Sequence, residues 1–275
     1  MSFFSQSGHW YVVNRDGSIE PRHEFGLADA RKVSAFPSIT TLLKERANPG
    51  LDKWKENQLF AAIMANPMRE GEDLKDYRKR IAAEASKTRD YAATFGTRLH
   101  DALDIYPEKV TTDQQLVPYV EKFAPSYNRI VKKRIASELM LADPDLGVAG
   151  KTDLIADTYE WGLAIIDYKT SKFKAGKASF WDSYKLQLAF YAKAYQKKMG
   201  LAETPVIINC GINSEEPMEP QWKRYSTNEQ NQAYSEFLAV AYLWFCTNNY
   251  WPISRSGFGG EWGIHVQTNG KLISA

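Results

Sequence analysis

The spacing of hydrophobic and polar positions changes near residue 135. Before that point, apolar residues recur at helical intervals, which predict four helices, over 38–47, 51–65, 70–105 and 113–133. The third helix is expected to break near Phe95 and Gly96. A short hairpin is predicted over 9–19 as an edge feature, because a β-prone run there is followed by turn residues that end in Gly17.

Shorter runs with strand character follow residue 135. Three of them predict an antiparallel meander, with strands over 137–141, 148–157 and 163–169. Beyond the meander we predict a helix over 180–199, a strand over 204–210, a short strand over 222–225 and a helix over 228–248. This order predicts an α/β (α+β) fold, in which a mixed central β-sheet is flanked by helices and carries an N-terminal helical elaboration.

The same change of pattern suggests how the chain is organised. A hairpin and helical region over 1–134 precedes an α/β core over 135–250, and a tail over 251–275 follows. A chain of 275 residues is long enough for one large domain or for a core with an appended helical part. We expect these regions to form one compact unit.

Composition narrows the class of protein. Apolar residues make up 44% of the chain and charged residues 25%, as in folded globular proteins. The two cysteines, Cys210 and Cys246, exclude a disulfide scaffold and any four-cysteine zinc or iron–sulfur site. The first ten residues lack the features of a signal peptide, and the longest apolar run, 237–246, is too short to cross a bilayer. We therefore expect a cytoplasmic protein with no membrane role.

The net charge of +2 conceals a strongly basic centre. Residues 169–198 contain eight lysines and one acidic residue, and a second basic cluster lies within 122–134. Such patches attract a phosphate backbone, although a run of lysines is also typical of a solvated helix face. The distribution of charge favours a nucleic-acid partner.

Two acidic residues and a lysine lie in or at the ends of predicted strands. Asp153 lies in one β-run, and Asp167 and Lys169 end the next, so adjacent pairing would bring them to one edge of the sheet. Carboxylates bind Mg²⁺ or Mn²⁺, which can generate hydroxide near neutral pH, and the lysine could orient or deprotonate water or neutralise a phosphoryl oxygen. Each residue alone is also typical of a turn, a cap or a surface ion pair. Their combination predicts phosphodiester hydrolysis.

Four segments together resemble the PD-(D/E)XK nuclease superfamily. They are GTRLH at 96–100, GKTDL at 150–154, DYKTSK at 167–172 and QLAFY at 187–191. Their order is similar to that of the RecB-like, phage-type exonuclease branch, which includes the mitochondrial genome maintenance exonuclease. The segment 36–54 also resembles the N-terminal helical region of phage members. The resemblance implies a restriction-endonuclease-like core and a metal-dependent DNA exonuclease of phage or bacterial recombination, repair or degradation.

The resemblance also implies a set of site residues. The catalytic residues would be Asp153, Asp167, Lys169, Gln187 and Tyr191. The metal ligands would be His100, Asp153, Asp167, the backbone carbonyl of Tyr168 and, as an additional acid, Glu138. They would hold one or two Mg²⁺ or Mn²⁺ ions. An iron–sulfur cluster is excluded, because the members of the branch that carry one use four cysteines.

Each assignment has a simpler structural alternative. His100 could be a satisfied core histidine, and Gln187 and Tyr191 share a helix face that could be ordinary core and rim. Glu138 could be an exposed charge on the sheet.

Residues around the motifs are candidates for DNA contact. They are Ser38, Thr40, Thr170, Ser171, Lys172, Lys174, Lys177 and Lys185. Ser38 and Thr40 could instead only cap a helix. Candidates for base stacking are Trp54, Phe173 and Tyr184. The expected partner is single-stranded DNA or a duplex with an end, and a recombination or single-strand-binding protein is left open as a further partner.

Other functions remain open on the sequence. A structure-specific or restriction-like endonuclease would use the same motifs. A non-catalytic DNA-binding recombination accessory protein could keep the fold, although the full motif set argues against it. A glycosidase needs only two carboxylates and leaves Lys169, His100 and the basic centre unexplained.

Overall fold

The N-terminal segment forms a small antiparallel sheet with two short helices. Its elements are β1 (Trp10–Val13), β2 (Ile19–Arg22), α1 (Leu27–Val33), β3 (Phe36–Pro37) and α2 (Ile39–Leu42). The predicted hairpin is present as β1 and β2, with Gly17 at φ 82° in the turn. Strand β3 pairs with the other side of β1, so β1 is the central strand of this sheet and β2 is an edge strand. A single 3₁₀ turn (Leu43–Glu45) follows α2.

Three longer helices follow, namely α3 (Pro49–Ala65), α4 (Leu74–Asp104) and α5 (Val117–Ile130). Helix α4 is continuous over 31 residues, so the predicted break near Phe95 and Gly96 is wrong. Gly96 is buried, and a Cβ on it would lie only 2.9 Å from Oγ1 of Thr170 in the main sheet. The glycine therefore allows α4 to approach the sheet closely and does not end the helix.

The main sheet has five strands in the order β4-β5-β6-β7-β8. They are β4 (Val131–Asp143), β5 (Val148–Thr158), β6 (Gly162–Ser171), β7 (Val206–Asn213) and β8 (Gln221–Arg224). The first three form the predicted antiparallel meander. Strand β7 is parallel to β6, and α6 (Asp182–Met199) makes the crossover that parallel neighbours require. Helix α7 (Thr227–Asn248) follows β8.

Strand β4 begins earlier than the sequence predicts. The helical pattern extends to residue 133, but α5 ends at Ile130 and the backbone of Val131 pairs with Thr158. Pairing with β5 overrides the local helical preference of these residues.

Helices cover both faces of the main sheet. On one face, α6 and α7 pack against the sheet through residues such as Phe190, Phe237 and Ile165. On the other face, α4 and α5 contribute residues such as Leu99 and Phe123. Burial on both faces explains the continuous apolar runs in β6 and β7. The predicted mixed α/β fold with a five-stranded sheet is confirmed.

The structure describes residues 9–47 and 49–253, and the predictions for 254–275 lie outside them. Among the described helices, none combines the length and the apolar character that a membrane span requires.

Candidate active site

The site lies where β5 and β6 stop pairing. The last pair of their ladder joins Leu154 to Ile166, and Asp153 and Asp167 are the next residues on the two strands. The backbone N–H of Tyr168 donates a hydrogen bond of 2.7 Å to Oδ2 of Asp153. The carboxylate thus takes a backbone donor just beyond the end of the ladder, which fixes Asp153 between the strands.

Asp167 is buried, with 2% of its surface exposed, and its carboxylate has two partners. Its Oδ2 atom lies 2.6 Å from Nζ of Lys169 and accepts a hydrogen bond of 3.0 Å from Nδ2 of Asn209. The parallel register pairs Asp167 with Asn209, which explains why the two side chains meet. Tyr225 in turn donates its hydroxyl to Oδ1 of Asn209 at 2.8 Å.

Lys169 is held by residues of helix α6. Its Nζ donates to Oε1 of Gln187 at 3.3 Å and lies 4.9 Å from the ring centroid of Tyr184. Nε2 of Gln187 donates to the hydroxyl of Tyr191 at 3.2 Å. Tyr191 is only 1% exposed, so its hydroxyl contacts Gln187 and is closed off from solvent.

The position of Tyr191 depends on a glycine in the GKTDL segment. A Cβ on Gly150 would lie 2.7 Å from Cε1 and 2.8 Å from the hydroxyl oxygen of Tyr191, and 2.9 Å from Cγ2 of Ile39. Real Cβ atoms do not approach other atoms so closely. Gly150 therefore provides the space in which the Tyr191 ring packs on β5.

His100 reaches the site from the C-terminal part of α4. Its Nδ1 lies 3.7 Å from Oδ2 of Asp153, and its ring packs edge-on against Tyr168 with centroids 6.0 Å apart. The helix thereby brings the GTRLH segment beside the two acidic residues, which are more than fifty residues away in sequence.

Burial dominates the electrostatics of the site. It raises the pKa of Asp153, and it raises the pKa of Asp167 to about 6 against the opposing effect of Lys169. Burial alone would lower the pKa of Lys169, but the carboxylates of Asp167 and Asp153 raise it. Burial also lowers the pKa of His100, which favours the neutral imidazole that metal binding requires.

The donor set has the chemistry of a divalent-metal site. Both Asp153 and Asp167 use Oδ2 for the contacts above, and Oδ1 of each accepts no hydrogen bond from the described residues. Two carboxylates, an imidazole and a backbone carbonyl suit Mg²⁺ or Mn²⁺. In the described part of the chain, however, no three His, Cys, Asp or Glu side chains are gathered closely enough to hold an ion. The types of donor atom therefore suit a divalent ion, but the described side chains are not arranged closely enough around one point to surround an ion.

Glu138, the additional acid among the expected metal ligands, forms an ion pair with a lysine. Its carboxylate forms an ion pair with Lys151 on β5, and its backbone has the left-handed φ of 51°, which is uncommon outside glycine. In this structure the side chain pairs with a lysine and does not join the two aspartates.

A cleft of about 1030 Å³ opens beside Lys169 and Gln187. One wall comes from residues within 40–47 and 49–55, and the other from residues 181–184 at the start of α6. The cationic side chains that line it include Lys44, Arg46 and Lys55. The cleft is thus an approach to the lysine of the site between the N-terminal segment and the core.

The residues predicted to contact DNA have different surroundings. Ser38 is buried and is the N-cap of α2, and its hydroxyl accepts a hydrogen bond from the backbone N–H of Thr41. Thr40 is exposed and lines the cleft. Thr170 and Ser171 are half-buried at the end of β6.

The predicted lysines also differ from one another. Lys174 and Lys177 are exposed in the loop between β6 and α6. Lys172 pairs with Glu215 at 2.6 Å, and Lys185 pairs with Asp182 at 3.3 Å. Lys172 lies in the same loop and is also exposed, so all three loop lysines are accessible.

Sequence reasoning missed Asn209, Tyr225, Arg46 and Trp181. Asn209 carried a signal, since it interrupts the apolar run of β7 and a buried amide needs a partner. The sequence held no signal for Tyr225 or Arg46, because their contacts are with residues that are distant in the sequence. Trp181 is 40% exposed beside the cleft and was not distinguished from the other tryptophans.

The model of the PD-(D/E)XK nuclease superfamily matches residues 58–240, which is more than half of the chain. That range includes His100, both aspartates, Lys169 and Gln187. The chain belongs to this superfamily and is a nuclease, a hydrolase of phosphodiester bonds in nucleic acid. Nucleases of the superfamily generally use divalent metal ions.

Two solved structures have weak similarity to the chain. One is a candidate exonuclease from Eubacterium rectale, with 15% identity and a TM-score of 0.35 over 54% of this chain and 68% of that one. The other is a protein called SSO0001, with 14% identity and a TM-score of 0.31 over 73% of this chain and 92% of that one. Both TM-scores are too low to support an argument. No curated protein matches the chain in sequence.

Proposed function

We propose that the protein is a metal-dependent DNA exonuclease that uses one or two Mg²⁺ or Mn²⁺ ions. The observation that carries the proposal is the ion pair between buried Asp167 and half-buried Lys169 beside a cleft, with Asp153 and His100 next to it. Recombination, repair or degradation of bacterial or phage DNA is the biological setting that the motif resemblance favours.

His100, Asp153, Asp167 and the carbonyl of Tyr168 would hold the ion. When bound, the ion lowers the pKa of a water molecule and stabilises negative charge on a phosphoryl oxygen. The described residues supply hard oxygen donors and one imidazole, as this chemistry requires.

Lys169 is the residue that we assign to the scissile phosphate. Its ammonium group lies beside the carboxylate of Asp167 and lines the cleft, so it can stabilise the charge that develops on the phosphate. Gln187 holds the ammonium group through its carbonyl oxygen, and Tyr191 holds Gln187. These two residues position the lysine and need not touch DNA.

The surroundings of the site supply contacts for a DNA strand. Lys174 and Lys177 lie in the loop that joins the end of β6 to α6, next in sequence to the catalytic segment. Trp181 and Tyr184 line the cleft on α6 and offer aromatic faces for stacking against bases. Residues within 40–47 and 49–55 form the other wall of the cleft and add the cationic side chains of Lys44, Arg46 and Lys55.

The test uses end-labelled single-stranded DNA, blunt duplex and covalently closed circles, each with Mg²⁺, with Mn²⁺ and with EDTA. An exonuclease digests the linear molecules, leaves the circles intact and stops in EDTA. Cutting of the circles would establish an endonuclease instead. The absence of any metal-dependent product, together with retained DNA binding, would support the accessory-protein alternative.

A further inference from the structure

An asparagine and a tyrosine behind the site have no role in the assignment above. Asn209 is fully buried in β7, and Tyr225 is 3% exposed just after β8. A buried amide is costly unless its polar atoms are hydrogen-bonded. Here both ends of the amide have partners, and one partner is the carboxylate of Asp167.

The hydrogen bonds fix the direction of the amide. Tyr225 donates to Oδ1 of Asn209 at 2.8 Å, so Nδ2 must face Asp167, to which it donates at 3.0 Å. A rotated amide would place two oxygen atoms against each other on the Asp167 side. Tyr225 is itself held, because its backbone N–H donates to the carbonyl of Ile207 and the ammonium of Lys223 lies 4.8 Å from its ring centroid.

The two oxygen atoms of the Asp167 carboxylate have different surroundings. Asn209 and Lys169 both engage Oδ2, and Oδ1 has no hydrogen bond from the residues that the structure describes. Mutation of the partners that orient a ligating carboxylate typically costs about 10- to 100-fold in metal affinity or activity.

We propose that Asn209 and Tyr225 form a positioning pair that holds the Asp167 carboxylate with Oδ1 available to a divalent cation. This inference rests on the proposed metal-dependent function. Neither residue touches the substrate, and both act through Asp167.

The test measures binding of Mn²⁺ alone to the full chain, by electron paramagnetic resonance of the free ion, and separately measures kcat and KM for DNA. Tyr225→Phe removes only the hydroxyl, and Asn209→Leu removes the donor to Asp167. We expect Mn²⁺ affinity to fall about tenfold in Tyr225→Phe and between about 10- and 100-fold in Asn209→Leu. The value of kcat should fall with metal affinity, and KM for DNA should stay unchanged.

Tyr250→Phe is the matched control. Tyr250 is also buried, and its hydroxyl donates to the carbonyl oxygen atoms of Ala35 and Ala30, away from the site. Its variant should lose thermal stability and keep wild-type affinity for Mn²⁺. If Asn209→Leu fails to fold, Tyr225→Phe still decides the question.

Two results would overturn the inference in distinguishable ways. If the wild type binds Mn²⁺ and folded Tyr225→Phe binds it equally well, the pair has only a structural role and the proposed function stands. If the wild type binds no Mn²⁺, the metal-dependent function fails, and the positioning role fails with it.

Discussion

The chemistry of single residues in this protein depends on what surrounds the amino group of Lys169. A carboxylate, an amide oxygen and an aromatic ring all contact it. Replacing a partner of a buried charge is costly, because the remaining charge is then uncompensated. At this scale the site is a small polar network centred on one ammonium group.

Lys169→Met should abolish cleavage while DNA binding persists. Losing a positioned ammonium group that stabilises a developing charge costs at least about 100-fold in kcat. The measurement is single-turnover cleavage of labelled DNA by a variant with a wild-type melting curve.

Lys193→Met provides the matched control for this prediction. Lys193 also donates to a glutamine, Gln196, at 3.3 Å and lies 5.9 Å from the ring centroid of Tyr234, but it is farther along α6. The Lys193→Met variant should cleave DNA at the wild-type rate. Near-normal turnover by Lys169→Met would contradict the assignment of Lys169.

Gly150→Ala should lower both stability and activity. The added methyl group would meet Tyr191 and Ile39 at less than 3 Å, and overpacking of this kind costs about 1–3 kcal/mol. The displaced tyrosine would also release Gln187. The measurements are the free energy of unfolding by urea and kcat.

Gly26→Ala serves as the control for Gly150→Ala. The nearest atom to a Cβ there is 3.9 Å away, and the backbone φ of −89° suits alanine. Its kcat should equal that of the wild type. An equal loss of kcat in both variants would show that the contact of Tyr191 is unimportant.

At the scale of elements, different helices position different residues of the site. Helix α4 carries His100 to the sheet, and α6 carries Gln187 and Tyr191 on one face and lines the cleft at its start. The connection between α3 and α4 is held by an ion pair in which Arg80 binds both carboxylate oxygen atoms of Glu72. Arg80 also donates to the carbonyl of Pro67, which fixes the turn between the helices.

Glu72→Gln should destabilise the α3–α4 connection in a pH-dependent way. The hydrogen bond from Arg80 lowers the pKa of Glu72 to about 2. A carboxyl group with a lowered pKa contributes stability above its unfolded pKa of 4.5, and that contribution is lost as the pH falls through 2. The melting temperature of Glu72→Gln should be below that of the wild type at pH 7, and the two should converge between pH 4.5 and 2.

Glu84→Gln is the control for this prediction. Glu84 pairs with Lys87 one turn later on α4, and exposed pairs of this type contribute little. Its melting temperature should stay close to that of the wild type at pH 7. A constant difference between Glu72→Gln and the wild type at all pH values would exclude the ionic explanation.

At the scale of the whole molecule, the distribution of charge decides how DNA approaches. The loop between β6 and α6 is fastened by Asn213, which donates to the carbonyl of Phe173, and by Gln221, which accepts from the backbone of Ala178. Lys174 and Lys177 are therefore presented on a fixed loop rather than on a free one.

The double variant Lys174→Gln/Lys177→Gln should bind DNA more weakly and with a smaller salt dependence. Each lost phosphate contact lowers the slope of log Kd against log salt by about 0.7–0.9. The measurement is fluorescence anisotropy of a labelled oligonucleotide in EDTA over a range of salt concentrations.

Lys198→Gln should leave that slope unchanged. Lys198 lies near the opposite end of α6, about 16 Å along the helix from Gln187, the last residue of α6 that lines the cleft. Equal slopes for the double variant and the wild type would show that the loop does not bind the backbone.

Local patterns were enough to predict most elements of the fold. The meander, α6 and α7 follow from alternation and helical periodicity, which depend on neighbouring residues. The break in α4 and the end of α5 were predicted wrongly, because Gly96 and Val131 respond to the sheet on which they pack.

The sequence by itself determined the fold class and the chemistry-bearing segments, since the residues within each of GTRLH, GKTDL, DYKTSK and QLAFY are neighbours in the chain. Only the tertiary structure decided which side chains surround Asp167. Its partner Asn209 is 42 residues away, and the two meet because β6 and β7 pair in parallel register. Strand register is a property of the assembled sheet, so no local pattern could have specified that contact.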